Sequence, residues 1–317
     1  MQVRLRDIKP FDQDAADQTI QQDHGLHPDD QFLKPGRIPH IWCPGCGLGV
    51  ALTTFVEAMR RKEIPVDKSA VVSGIGCTGR VAGYLNMDTY HTTHGRAIPF
   101  ATGLALARPD LTVTVFSGDG DLFAIGGNHL IHAARRNVNL KVICVNNFNF
   151  GMTGGQAAPT TPQDAKTSTT PYGNMEPAFN LPHLAHAAGA IYVARWTTFH
   201  ARQLLYSISQ TFEKKGFTFI EAIAPCPTGF GRPNKLGSGL DEMRFYRENS
   251  VVLNGSDPSQ AEIRIRERIV VGTFIDTERP DFMENYTNTV VARAQAKGKG
   301  KGKGKGKGKG KGKGRAA

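Results

Sequence analysis

The run Leu111-Thr-Val-Thr-Val-Phe116, passing almost at once into Gly118-Asp119-Gly120-Asp121, constrains this chain most. Alternating β-branched residues predict a strand, and the glycines predict a tight turn at its carboxyl end. Residues 122–136 predict a helix beyond that turn. The same order recurs along the chain. Leu48, Leu52, Phe55, Val56 and Met59 fall at helical spacing over 47–62. Ser69 to Ser73 is a short strand ending in Gly74-Ile75-Gly76-Cys77-Thr78-Gly79. A helix is expected over 96–107, then a strand from Leu140 to Val145 and a long Gly/Pro/Thr loop from Asn146 to about Gly173. A strand from Ile191 to Ala194, a helix over 199–214 and a strand from Phe217 to Ile223 follow. Strands separated by helices imply an α/β fold, a parallel sheet with helices on both faces. In such a sheet the loops after the strand carboxyl ends open onto one crevice.

The flanks have a different texture. Residues 1–38 are polar and acid-rich, an arm expected to pack on something else or to stay mobile. Residues 39–230 carry the α/β pattern, and 231–296 read as a C-terminal extension packing on the core or on a partner. In the tail, 297–317, lysine and glycine alternate from Lys297 to Lys313. It has almost nothing apolar to bury and is expected to be disordered. The tail also explains the charge. A net charge of +11 would by itself suggest nucleic acid or an acidic membrane surface, but nine Lys and one Arg lie in the tail without an acid. The remaining 29 basic residues face 28 acidic ones, so the body is near neutral and is not a nucleic-acid reader. No stretch approaches the roughly 18 consecutive apolar residues of a spanning helix. The start lacks an apolar signal core, so a cytoplasmic protein away from membranes is expected.

Five cysteines in a chain without an export signal read as ligands or free thiols rather than disulfides. Cys43-Pro44-Gly45-Cys46 is a knuckle whose Pro-Gly turn lets both thiolates face one centre. Cys77 and Cys226 lie in loops after strands, where the sheet would bring them to the same crevice. Cys144 sits mid-strand and reads as a small core residue. The four loop cysteines fit one tetrathiolate centre, and their spacing leaves zinc and a [4Fe-4S] cluster both open.

Asp119 offers a carboxylate oxygen and Asn147 an amide oxygen at the ends of successive strands. That pair suits Mg²⁺, with diphosphate oxygens completing its shell. The helix amino terminus after Gly120 favours the phosphate charge. A lone Gly-Asp-Gly marks ordinary turns too, but this strand context with Asn146-Asn147 is the signature of thiamine diphosphate (TPP) enzymes.

The chain resembles the beta subunit of 2-oxoacid:ferredoxin oxidoreductases. The likeness runs over about residues 38–230 and rests on six ordered motifs. They are Trp42-Cys-Pro-Gly-Cys-Gly47, Gly74 to Gly79, His91-Thr-Thr-His-Gly-Arg-Ala97, Gly118 to Asp121, Asn146 to Gln156 with Pro159-Thr-Thr161, and Pro225-Cys-Pro227. The resemblance implies the pyrophosphate-type TPP-binding fold, with Cys43, Cys46, Cys77 and Cys226 as ligands of one [4Fe-4S] cluster. It implies Mg²⁺ held by the Asp119 and Asn147 side chains and by the backbone carbonyl of Asn149. Ile75, Gly76, Cys77, Thr78, His94, Gly120, Asp121, Gly151 and Met152 fall where the family contacts TPP, and His94 is the candidate catalytic residue. The implied reaction is oxidative decarboxylation of a 2-oxoacid with coenzyme A (CoA), electrons leaving singly through the cluster to ferredoxin. The preferred substrate is 2-oxoglutarate, giving succinyl-CoA. The resemblance also places the TPP-activating glutamate on an alpha subunit, so an alpha-beta heterodimer, paired into a dimer of heterodimers, is expected.

Plainer readings stand beside these. Asp121 reads equally as an acidic first-turn residue favoured by the helix dipole. His91 is as readily a surface residue, and Arg96 binds an anion or makes a local salt bridge. A pyruvate or broad-specificity enzyme remains open, as does a non-redox TPP decarboxylase, which would not need four cysteines. So does a binding module with structural zinc. The cationic tail either raises the encounter rate with an acidic ferredoxin or is a dispensable solvated segment.

Overall fold

The computed structural model describes residues 29–302. Residues 1–28 of the acidic arm and 303–317 of the tail lie outside the described residues, and with them most of what was expected of both. Helix α1 (Leu48–Arg61) buries Leu48, Ala51, Leu52, Phe55, Val56 and Met59 on one face. Each large side chain so buried contributes roughly 1.5–3 kcal/mol. Strand β1 (Ser69–Ser73) follows, then β2 (Asp88–His91), α2 (Ala97–Ala107) and β3 (Thr112–Gly118). After α3 (Gly127–Arg135) come β4 (Lys141–Asn146) and the short pair β5 (Asn149–Phe150) and β6 (Gln156–Ala157). Then α4 (Leu181–Ala188), β7 (Tyr192–Thr197), α5 (Ala201–Glu213) and β8 (Thr218–Ile223) alternate. The chain continues through α6 (Gly239–Asn249), β9 (Ser250–Val252), β10 (Ile269–Asp276), α7 (Phe282–Tyr286) and α8 (Ala292–Gly302).

Eight strands form one sheet in the order β2-β1-β3-β4-β8-β7-β10-β9. From β2 to β7 every pairing is parallel; β10 then joins β7 antiparallel, with β9 parallel to β10. Every residue of β1, β4, β7 and β8 is buried, as expected of strands covered on both faces. One apolar cluster, with Phe55, Phe116, Trp196 and Ile220, packs under α1 and α5. The other, with Ile98, Leu130, Val142 and Phe219, packs under α2, α3 and α4.

Several sequence expectations are refined. The helix expected over 122–136 begins as a π-turn, Gly120–Ile125, and becomes α-helical only from Gly127. The polar strand β2 carries no apolar pattern and is absent from the periodicity. The long loop after β4 contains the β5–β6 pair. Residues 250–276 of the extension supply β9 and β10 to the main sheet. Helix α8 runs to Gly302, so the Lys-Gly segment expected to be disordered is helical over its first six residues. Lysine is a good helix former, and a turn already nucleated propagates cheaply. Phe32 of the arm is buried, and Leu33 bridges to Leu85. No helix among the described residues is long and apolar enough to cross a membrane.

Candidate cofactor and thiolate site

Strands β1, β3, β4 and β8 are adjacent and parallel, so their carboxyl-end loops emerge side by side. Those loops carry Gly74–Thr78, Gly118–Asp121, Asn147–Thr153 and Pro225–Cys226. Together with His94, the first three line a cleft of about 110 Å³. All nine residues expected at TPP are present there: Ile75, Gly76, Cys77, Thr78, His94, Gly120, Asp121, Gly151 and Met152. Asp119, Asn147 and Asn149 line the same cleft.

Asp119 is buried at the end of β3. Thr160 donates its hydroxyl to Oδ2. Burial nevertheless pushes the carboxyl up to about 7, against the lowering effect of Thr160 and of the Gly120 amide. Its partners are thus a hydroxyl and an amide rather than a cation, and a divalent ion is what would hold it ionised. Asn147 and Asn149 flank Phe148, which takes the left-handed φ of 63°. A bulky residue there is uncommon and is held only by its surroundings. Phe148 N–H donates to Asn146 Oδ1 at 3.0 Å, and Thr161 Oγ1 donates to Phe148 O at 2.6 Å. The Asn149 side chain donates to Asn147 O at 2.7 Å. Oxygen donors from adjacent strand ends around a buried acid suit Mg²⁺.

Asp121 does more than decorate a first turn. Its Oδ1 accepts from Ile75 N at 3.1 Å and Gly95 N at 2.8 Å, and its Oδ2 from Ser117 Oγ at 2.9 Å. His94 Nδ1 lies 2.6 Å from the same Oδ1. One buried carboxylate therefore ties together the loops after β1, β2 and β3. A Cβ on Gly74 would lie 1.9 Å from Asp121 Oδ2, and one on Gly120 would lie 2.2 Å from the Phe150 ring. Both positions need glycine for close approach. Among the described residues Arg96 meets no carboxylate; its Nη1 lies 3.0 Å from His129 Nε2 and donates to Gly95 O at 3.4 Å. His91 ends β2 and is exposed.

The knuckle is fastened to both other cysteine loops. Trp42 Nε1 donates to Cys77 O at 2.8 Å, and Gly47 N donates to Pro225 O at 3.1 Å. Gly45 has φ of +80°, and a Cβ there would meet Gly239 Cα at 3.2 Å. Burial pushes the Cys46 thiol up to about 12 and Cys77 up to about 11, and the neighbouring thiols add to both shifts. Such thiols ionise only when something cationic binds them. Cys144 is buried in β4, in the second core cluster. Among the described residues no three His, Cys, Asp or Glu side chains group to hold a single ion. The position of Gly151 shows how close the two halves of the site are. A Cβ there would lie 3.4 Å from Asn149 Oδ1, 3.6 Å from Asn147 Nδ2 and 3.6 Å from Cys77 Sγ.

Sequence reasoning gave no role to Ser117, Thr160 or Phe150. Thr160 lay inside a quoted motif, but its distance from Asp119 along the chain hid the contact. Ser117 looks like an ordinary strand residue, and Phe150 like one more residue of the long loop after β4.

Residues 57–222 match the family described as thiamine pyrophosphate enzyme, C-terminal TPP binding domain. The 2-oxoglutarate synthase subunit KorB of Methanocaldococcus jannaschii is 51% identical over 260 residues, covering 82% of this chain and 96% of that protein. The protein of the same name from Methanothermobacter marburgensis is 49% identical, covering 80% and 89%. The chain is also similar to the solved 2-oxoglutarate:ferredoxin oxidoreductase from Magnetococcus marinus with 2-oxoglutarate, coenzyme A and succinyl-CoA bound. The TM-score is 0.75 at 32% identity, covering 89% of this chain and 97% of that one.

Proposed function

Because this chain belongs to the family of 2-oxoacid:ferredoxin oxidoreductase beta subunits, we propose that it is the TPP- and cluster-bearing subunit of a 2-oxoglutarate-converting enzyme. Working with an alpha subunit, it would convert 2-oxoglutarate and CoA to succinyl-CoA and CO₂, with ferredoxin as electron acceptor. The observation that carries this reading is the meeting at Gly151. The Asn147 amide expected at Mg²⁺ and the thiol of Cys77 both come within 3.6 Å of where a Cβ on Gly151 would stand. A non-redox TPP enzyme has no use for a thiol in its cofactor cleft with three more on the loops fastened to it.

Bound TPP supplies the electron sink that lets a 2-oxoacid lose CO₂. The chain supplies the rest. Asp119 and the Asn147 side chain, with the Asn149 carbonyl, would hold Mg²⁺ for the diphosphate. Gly120, at the start of the π-turn, lets backbone amides face its oxygens. His94, oriented by Asp121, presents its second ring nitrogen where a proton can be held or moved. Cys43, Cys46, Cys77 and Cys226 would hold the [4Fe-4S] cluster beside the reacting centre.

The test is co-purification with the partner subunit, followed by iron, sulfide and TPP analysis and a dye-reduction assay across 2-oxoacids. About four iron atoms per beta chain, TPP in the denatured supernatant and highest kcat/KM on 2-oxoglutarate are expected. Zinc in place of iron, or no TPP, would defeat the reading.

A further inference from the structure

Three polar residues sit on one face of the sheet's centre, where apolar ones are the rule. Arg195 in β7 is in register with Glu221 in β8, and both side chains are fully buried. Asn146 ends β4 and is in register with Ile223, two residues beyond Glu221, so it lies on the same face. Arg195 Nε donates to Glu221 Oε2 at 2.6 Å, and Asn146 Nδ2 donates to Glu221 Oε1 at 2.7 Å. Asn146 Oδ1 is then left to accept Phe148 N–H at 3.0 Å. An ion pair this deep is a weak source of stability, because desolvation offsets most of its attraction. What it does supply is direction. A carboxylate only accepts, so the amide facing it must present NH₂, and its oxygen must point the other way.

We infer that Arg195, Glu221 and Asn146 form a positioning relay that holds Phe148 in its left-handed conformation. That conformation keeps Asn147 and Asn149 converged as cation ligands. The inference rests on the proposed Mg²⁺ site. Phe148 packs in the first apolar cluster, its ring centroid 5.2 Å from that of Phe230, and borders a cavity of about 330 Å³. Beside that packing, its N–H bond to Asn146 and the Thr161 bond to its carbonyl act on the backbone itself. Arg195 acts at one remove: Nη1 donates to Ala261 O at 2.5 Å, which anchors the guanidinium that holds Glu221.

The experiment titrates Mg²⁺ into the alpha-beta complex at fixed TPP and reads cofactor binding by calorimetry, with cofactor-free melting temperature in parallel. D119N should abolish Mg²⁺-dependent binding. E221Q lets the Asn146 amide turn over, and N146A cuts the link while leaving the ion pair in place. Each should raise half-saturating Mg²⁺ tenfold or more. Because glycine adopts the left-handed φ unaided, N146A/F148G should recover part of that loss despite a second truncation; a merely structural role predicts that it worsens. E221Q alone strands Arg195, so N146A and its double variant decide the matter should E221Q not fold. Wild-type Mg²⁺ dependence in N146A, with D119N impaired, overturns the relay alone. A wild-type complex indifferent to Mg²⁺ overturns the cation site and the relay together.

Discussion

His94 Nδ1 lies 2.6 Å from Asp121 Oδ1, and that contact settles which ring nitrogen is available for chemistry. The same oxygen accepts two backbone amides, so it acts as an acceptor and Nδ1 carries the hydrogen. Nε2 is then the free acceptor on a side chain that lines the cleft. A positioned acid or base contributes about 10²–10⁴-fold. H94A should therefore lower kcat by about that range. The imidazole is about one-third exposed, 35%, so melting temperature should hardly change. Steady-state kinetics with TPP content measured alongside checks this, and loss of TPP with kcat per bound cofactor unchanged would make His94 a binding residue only.

The strand-turn-helix order was legible because parallel strands and their loops obey strong local rules. The burial of β1, β3, β4 and β8 on both faces made their runs visible, and their glycine-rich ends marked the cleft. Strand β2 was not, since its exposed Asp88-Thr-Tyr-His91 has no apolar side to show. Candidate ligands were legible where residue type is restrictive, as with four loop cysteines. The residues that set those ligands in place were not. Ser117, Thr160, Glu221 and Arg195 act through contacts between distant segments, and nothing in their immediate neighbours distinguishes them from strand or loop polar residues.

Asp119 makes cation binding pH-dependent. Its carboxyl is pushed by burial from its ordinary 3.8 to about 7 in the cation-free fold. A raised carboxyl binds more protons folded than unfolded, so its contribution to stability is complete below about 3.8 and is lost as pH rises through about 7. Mg²⁺ has to displace that proton. Half-saturating Mg²⁺ should therefore fall about tenfold between pH 6 and pH 8, and the Mg²⁺-induced rise in melting temperature should be larger at pH 8. D119N should lose both dependences. Thermal melts across pH, with and without Mg²⁺, provide the check.

The five cysteines should separate cleanly by substitution. C77S and C226S remove thiols that adjoin the cleft and are tied to the knuckle through Trp42 and Gly47. Either should drop iron well below the roughly four atoms per chain of an intact cluster and abolish ferredoxin reduction. Cys144 is fully buried in β4. C144A should keep full iron content and lose only about 1–2 kcal/mol of stability, from one buried sulfur's worth of packing. Iron and sulfide analysis with urea melts distinguishes the two classes, and iron loss in C144A would displace the assignment.

The cleft lacks one group that TPP chemistry requires. No glutamate is among the residues lining it. The two buried glutamates among the described residues are occupied elsewhere: Glu221 faces Arg195, and Glu242 Oε2 accepts Cys226 N–H at 3.3 Å. Burial pushes Glu242 up to about 7, but it lines the neighbouring apolar cavity and not the cofactor cleft. We therefore expect the activating carboxylate on the partner subunit. The isolated beta chain should release no CO₂ from 2-oxoglutarate. Exchange of the thiazolium C2 proton of added TPP with deuterium, followed by NMR, should stay near its rate in free solution. Adding the alpha subunit should accelerate that exchange by about 10²–10⁴-fold, the range of a positioned acid or base. A Glu→Gln change at the partner's cofactor-facing glutamate should remove the acceleration while leaving complex formation intact. Fast exchange in the beta chain alone would locate the relay in this subunit after all, and His94 would be the first residue to test for it.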